Sequence, residues 1–250
     1  MFNLAQTTNF LAYVLAAREI GVIEPEIHAA AVRCRRAIVE NNMSVASACL
    51  QQAVSGAMDR IPRMALLTCG SAGSGKSTVA AFVAQYWGFD HLQTDLIRKR
   101  LTGLEPTART GAAVNAGIYS TAMSDQLYRE LGNRAYQVLQ DGRSVVLDGS
   151  FLTRVRRRAA VEAVRSAGAR VLILHCRLDR DEQVRRLRSR LADRDAISEG
   201  NVEVMVNHEK IWEPLLPGEA DSILTVDTNA PSAEVESRLL PLLWRAALSA

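Results

Sequence analysis

No stretch of this 250-residue sequence reaches the roughly 18 uninterrupted apolar residues that a membrane span requires. The first residues, MFNLAQTTNFLAYVLAARE, have no basic region ahead of their apolar stretch and no small-residue cleavage site. They do not read as a signal peptide. Cysteine is scarce. Cys34, Cys49, Cys69 and Cys176 show no metal-ligand spacing, and Cys69 and Cys176 close apolar runs. They read as free thiols, which places the chain in a reducing cytoplasm. Aromatics make up only 5% of the chain, few are interleaved with the arginines, and the net charge is +3. A nucleic-acid partner is therefore the weaker expectation. His175 and His208 have no partner at metal spacing and read as structural; Trp87, Trp212 and Trp244 sit in or beside helical patterns and read as packing residues. There is no internal repeat and no low-complexity tract.

What is present is ordinary globular material: 48% hydrophobic and 23% charged residues. Residues 1–60 read as helices only. Ala29, Val32, Cys34, Ile38 and Val39 fall at roughly helical spacing, Asn41-Asn42 breaks the pattern, and Ser44 can cap a second helix, SVASACLQQAVSGAM. IPR, residues 61–63, reads as a linker. From residue 64 to 250 the chain alternates. The apolar runs MALLTC, SVVLD, VLILHC and SILTVD, and more weakly residues 90–93, read as buried strands. Helical patterns lie between them, over residues 76–87, 95–101, 122–140, 154–167, 181–191 and 202–212, and a last one covers 232–247. Strands separated by helices give an α/β domain with a parallel sheet covered by helices on both faces.

The sharpest signal is Gly70-Ser71-Ala72-Gly73-Ser74-Gly75-Lys76-Ser77, followed by Thr78. It satisfies G-x-x-x-x-G-K-[ST] at every fixed position, after a strand and before a helix. Glycines let successive backbone N–H groups turn toward phosphate, and the helix presents its positive end there. Lys76 reaches the β- and γ-phosphates of ATP, and the Ser77 hydroxyl can hold Mg²⁺. Asp148 ends the run SVVLD beside this loop. It suits an acid that holds Mg²⁺ through water; the alternative is a cap for the turn DGSF.

Asp95 lies nineteen positions past Lys76, where the second strand gives way to a helix. A carboxylate there can take the proton of an acceptor hydroxyl, or it can simply cap the helix. Arg98 shares its helix face and can contact an anionic or polyhydroxylated acceptor. Arg186, Arg190 and Arg194 fall at i, i+4 and i+8, and Arg190 and Arg194 precede the polar segment DAISEG, as arginines of a closing lid would. The alternative is a solvated face. RVRRR, residues 154–158, opposes the macrodipole of its helix, which hints that some of it faces a ligand. Arg109 and Tyr119 are weaker candidates for acceptor contacts.

GSAGSGKST, QTDLIRKRLTGL, YQVLQDG, SVVLDGSFLTRVRR, RLADRDAISEG and the later VDT together resemble one family. It is the bacterial P-loop kinase domain, an AAA-type ATP-binding domain, of the kind fused behind aminoglycoside-phosphotransferase-like domains. The likeness extends more distantly to polynucleotide 5′-kinases, gluconate kinases and zeta-type toxins, and it covers residues 64 to about 248. It implies an ATP- and Mg²⁺-dependent phosphotransferase with an adenylate-kinase-like core and a lid, acting on a hydroxyl of a small molecule. It makes Asp95 the general base, Arg98 an acceptor contact, Asp148 the metal-side acid, and Arg190 and Arg194 lid arginines. The alternatives are a polynucleotide 5′-hydroxyl kinase and a non-catalytic ATP-binding module. Residues 1–60 resemble only the helical tail of the fused domain, without its catalytic motifs, and are the expected contact for a separate protein partner.

Overall fold

The computed structural model describes residues 25–108, 110–111, 116–191 and 197–248. The N-terminal stretch discussed above lies outside them, as do Arg109 and Arg194. The chain divides into two compact units, one of residues 1–62 with 233–250 and the other of residues 63–232.

In the first unit, helix α1 (Pro25–Val39) turns back into α2 (Met43–Met58). The turn is made by Asn41, whose φ of +56° reverses the chain. Asn42, rather than Ser44, is the cap: its side chain accepts from the Val45 amide, and the Ser44 hydroxyl donates to it. The buried face of α1 also differs from the one the spacing suggested. Ala30, Ala31, Cys34 and Ala37 are buried, whereas Val32 and Val39 are exposed. Small side chains let the helices approach closely: a Cβ on Gly56 would sit 3.1 Å from Ile27, and the Cys34 thiol donates to the Ala46 carbonyl across the pair. Close backbone approach therefore selected the alanine face over the larger apolar residues. The last helix, α9 (Ser232–Leu248), groups with this unit from Ala233 onward. It buries Leu239, Leu240, Leu243 and Trp244 and carries Pro241 within it.

The second unit is a five-stranded, wholly parallel sheet. Its strands are β1 (Met64–Cys69), β2 (Asp90–Gln93), β3 (Val145–Asp148), β4 (Arg170–Arg177) and β5 (Ser222–Asp227), in the order β2-β3-β1-β4-β5. Helices α3 (Lys76–Trp87), α4 (Thr94–Leu101), α5 (Thr121–Gln140), α6 (Arg154–Ser166), α7 (Arg180–Leu191) and α8 (Val202–Ile211) make the connections. β1 and β3 are buried along their whole length, as continuous apolar runs in parallel sheets are. On one face Ala65, Leu67, Val145, Leu147, Val171 and Ile173 meet Leu127, Leu131 and Leu139 of α5 and Val161 and Val164 of α6. Each large aliphatic side chain so buried contributes about 1.5–3 kcal/mol.

This order puts β1 between β3 and β4, so the loops leaving all three share the carboxyl edge of the sheet. Open parallel sheets bind ligands at that edge. The register fixes who meets there: Gln93 pairs with Asp148, and Cys69 pairs with His175. Among the described residues no helix is long and apolar enough to cross a membrane.

Candidate phosphoryl-transfer site

The loop from Gly70 to Gly75 leaves β1 and enters α3. Gly70, Gly73 and Gly75 have φ values of +141°, +80° and +80°, which only glycine adopts without strain. A Cβ on Gly70 would also lie 2.6 Å from the Cys176 carbonyl oxygen and 2.9 Å from Ser74 Oγ. Ser74 is buried, and its hydroxyl has no hydrogen-bond partner among the described residues. Lys76 Nζ donates to the Ser71 carbonyl at 2.5 Å, folding back over the loop. Burial of this ammonium lowers its pKa, while the nearby Asp148 carboxylate, the Cys176 and Cys69 thiols and the Asp95 carboxylate oppose that shift. Both acids named by the sequence therefore lie within electrostatic reach of Lys76. Ser77 and Thr78 are exposed on the first turn of α3.

The loop is held from behind by residues to which the sequence assigned no part in it. Thr228, just past β5, donates its hydroxyl to the Ser74 carbonyl at 3.0 Å and packs against Gly75. Gln183 of α7 donates to Ser71 Oγ at 2.6 Å and to the Ala72 carbonyl. His208 of α8 accepts a hydrogen bond from the Ala72 amide through Nδ1 at 3.1 Å. Burial, then the charges of Lys76 and Arg156, push the pKa of His208 down to about 3, so it is a neutral imidazole. His208 thus has a structural part, as a brace that bonds the phosphate loop. Its partner lies 136 residues away, and no local spacing announces such a contact. His175 is structural, stacked on Trp212 with ring centroids 5.1 Å apart.

On the other flank, Asp148 is buried at the end of β3. Its Oδ1 lies 3.4 Å from the Thr68 hydroxyl, and its Oδ2 lies 3.5 Å from His91 Nε2. The next residues run beside the phosphate loop, where the Ser150 carbonyl accepts from the Gly70 amide. Phe151 follows in a left-handed conformation, φ +43°, fully buried. Its amide donates to Tyr128 OH and its carbonyl accepts from the Cys69 thiol. Such a strained non-glycine residue persists only where neighbours hold it.

Asp95 sits in the first turn of α4. Gln93 occupies the cap position, so Asp95 is not the cap and its carboxylate is not committed to one. The Thr94 hydroxyl donates to the Asp148 carbonyl at 3.0 Å, which pins the start of α4 over the end of β3. One turn on, Arg98 is buried, donates to the Ile118 carbonyl at 2.8 Å and lies over the Tyr119 ring at 4.9 Å. Tyr119 also reaches Glu199 at 3.4 Å, and burial, with Asp95 and Glu199 nearby, raises its pKa.

The arginine runs divide by role. Arg157 is an internal tie, fully buried, paired with Glu219 at 2.5 Å and bonded to the Phe151, Leu152 and Pro214 carbonyls. Arg158 is exposed and pairs with Glu162. Arg156 lies over the Tyr128 ring at 5.0 Å. Arg186 is spent on Glu182 and the Thr228 carbonyl. Arg190 is half-buried in the last turn of α7 and forms no ion pair with the described residues. Arg194, the other expected lid arginine, lies outside the described residues.

Residues 66–211, more than half of the chain, match the model of a family described as AAA domain. The chain belongs to that family. Three proteins named only as uncharacterized, one from Mycobacterium bovis and two from Mycobacterium tuberculosis, are 36% identical to this AAA-domain chain over 89 residues. The match covers 36% of this chain and 18% of the relatives. Among solved structures, a sugar kinase from a Janibacter species superposes with a TM-score of 0.55 at 19% identity, covering 76% of this chain and 99% of that one. A gluconokinase from Sinorhizobium meliloti gives 0.51 at 22% identity, over 75% and 95% of the two chains. Kti12 from Chaetomium thermophilum, solved with ADP-AlF3, gives 0.55 at 14% identity, over 74% and 100%. At these identities the likeness is one of fold, that of P-loop kinases.

Proposed function

We propose that this protein is an ATP-dependent phosphotransferase that moves the γ-phosphoryl group of ATP to a hydroxyl of a small molecule in the cytoplasm. The observation that carries this reading is the convergence of Lys76, Asp148 and Asp95 at one edge of the sheet, around a glycine loop with a buried, unpartnered serine hydroxyl. Kinase names among proteins of the same fold support it.

The loop amides and Lys76 bind the phosphates. Ser77 and Asp148 would hold Mg²⁺. One hydroxyl, one carboxylate and phosphate oxygens suit this ion, which keeps much of its own water shell. No cage of three acidic, histidine or cysteine side chains stands among the described residues. When bound, the ion neutralises charge on the β- and γ-oxygens. Asp95 accepts the acceptor's proton as its oxygen bonds to the γ-phosphorus and the bond to the β-phosphate oxygen breaks, leaving ADP. Arg98 positions the acceptor. Arg190 and Arg194 close over the transferring group and help exclude water.

The reading is tested by Asp95→Asn. The variant should bind AMP-PNP·Mg²⁺ as the wild type does and transfer at least about a hundredfold more slowly, the usual span of general-base catalysis. Equal transfer by the two proteins would remove Asp95 from the mechanism.

A further inference from the structure

Among the described residues Arg98 is a buried cation without a paired anion. Its residue is 8% exposed, its Nη1 donates to the Ile118 carbonyl and, at 3.4 Å, to the Ser124 hydroxyl, and its Nε is buried with no hydrogen-bond partner among the described residues. No carboxylate among the described residues lies within ion-pair distance of it. A buried charge left uncompensated is expensive, and Arg98 carries that cost one turn from Asp95.

A second guanidinium reaches the same helix. Arg156 covers Tyr128, one turn beyond Ser124 on α5, and its side chain is 21% exposed. Its nearest acid is Asp125 at 3.9 Å, half-exposed and so a weak counter-charge. Tyr128 in turn bonds the Phe151 amide beside the phosphate loop, which places this turn of α5 next to the transfer edge. The neighbouring arginines are otherwise engaged: Arg157 with Glu219, Arg158 with Glu162. Among the described residues, Arg98 and Arg156 are thus under-compensated cations against successive turns of α5, Arg98 one turn from Asp95.

We infer that the acceptor is an anionic hydroxy compound, whose carboxylate or phosphate seats against Arg98 and Arg156 while its hydroxyl faces Asp95. This rests on the kinase reading for the role of the acceptor. The anion site itself stands on the two arginines. A planar guanidinium pairs bidentately with either anion, and two of them fix an orientation that a neutral polyol could not exploit. The anion also supplies the missing compensation for Arg98.

The test has a binding arm and a transfer arm. In the first, sulfate is titrated at constant ionic strength into the full chain saturated with AMP-PNP·Mg²⁺, with binding read by calorimetry. The wild type should bind saturably. Arg98→Gln and Arg156→Gln should each weaken binding at least about tenfold, the scale of losing a charge-assisted pair. Arg158→Gln, an exposed change on the same helix, should bind as the wild type does. No saturable binding by the wild type, or undiminished binding by both Gln variants, overturns the inference. In the second arm, labelled ATP is offered with matched acceptors: neutral polyols, the corresponding hydroxy acids, and sugar phosphates. Label should enter an anionic set, hydroxy acids marking a carboxylate source and sugar phosphates a phosphate source, and Arg156→Gln should lower kcat/KM for it. Transfer to neutral polyols that Arg156→Gln leaves intact overturns the inference. Sulfate binding is read without turnover. A chain that binds sulfate through both arginines but never transfers phosphate would therefore sink the kinase reading and leave the anion site standing.

Discussion

At His208 a buried neutral imidazole accepts from the Ala72 amide, and the charges of Lys76 and Arg156 add to burial in disfavouring its protonation. Its folded pKa of about 3 lies far below the ordinary value of 6.5. The unfolded chain therefore binds a proton below pH 6.5 that the folded chain refuses. Stability contributed through this residue is unchanged above pH 6.5 and falls as pH drops from 6.5 toward 3, with a slope approaching about 1.4 kcal/mol per pH unit. His208→Gln, which can still accept from the amide, should flatten that part of the profile. Denaturant unfolding of both proteins at pH 7, 6 and 5 checks this; parallel profiles would contradict it. The arginine run at 154–158 carries a related lesson. From sequence its members are alike, but the fold gives Arg157 to Glu219, Arg158 to an exposed pair with Glu162 and Arg156 to the Tyr128 ring. The deciding partner can be distant: Glu219 lies 62 residues from Arg157.

At the level of elements, the phosphate loop joins β1 to α3 and packs closely against β4 at Cys176. Gly70→Ala places a Cβ against the Cys176 backbone carbonyl, which cannot rotate away as a side chain could, and at a φ that alanine resists. The change should cost roughly 1–3 kcal/mol of stability and abolish tight AMP-PNP binding. Unaltered calorimetric affinity would contradict the account of the loop. Much of this level was legible beforehand. Strands β1, β3 and β4 announce themselves as apolar runs bounded by glycine or charge, and the loop motif names its own neighbours. Even Asp95 and Asp148 could be placed at one edge, because a parallel sheet leaves little choice. Two things were not legible. The buried face of α1 escaped because close helix packing favours alanine over valine, against a simple count of apolar residues. The bracing of the loop by Thr228, Gln183 and His208 escaped because each contact spans more than 100 residues and depends on the tertiary fold.

For the whole molecule, the chain pairs an AAA-domain α/β unit with a small helical one, and only residues 63–232 contain the loop. Nucleotide should stabilise the folded chain by mass action, by about 2.7 kcal/mol when AMP-PNP·Mg²⁺ is present at 100 times its Kd. The resulting rise in Tm should vanish in Lys76→Ala. A rise of equal size in that variant would show that binding occurs elsewhere. The central claim is that the site passes phosphate to an acceptor. It is tested most directly by following the label of γ-labelled ATP, with Mg²⁺, into pooled hydroxy acids, sugar phosphates, neutral sugars and 5′-hydroxyl oligonucleotides. The account predicts label on a small-molecule pool, exceeding label released as inorganic phosphate, and its loss in Asp95→Asn. ATP bound tightly with no label on any pool, or label confined to oligonucleotides, would contradict it.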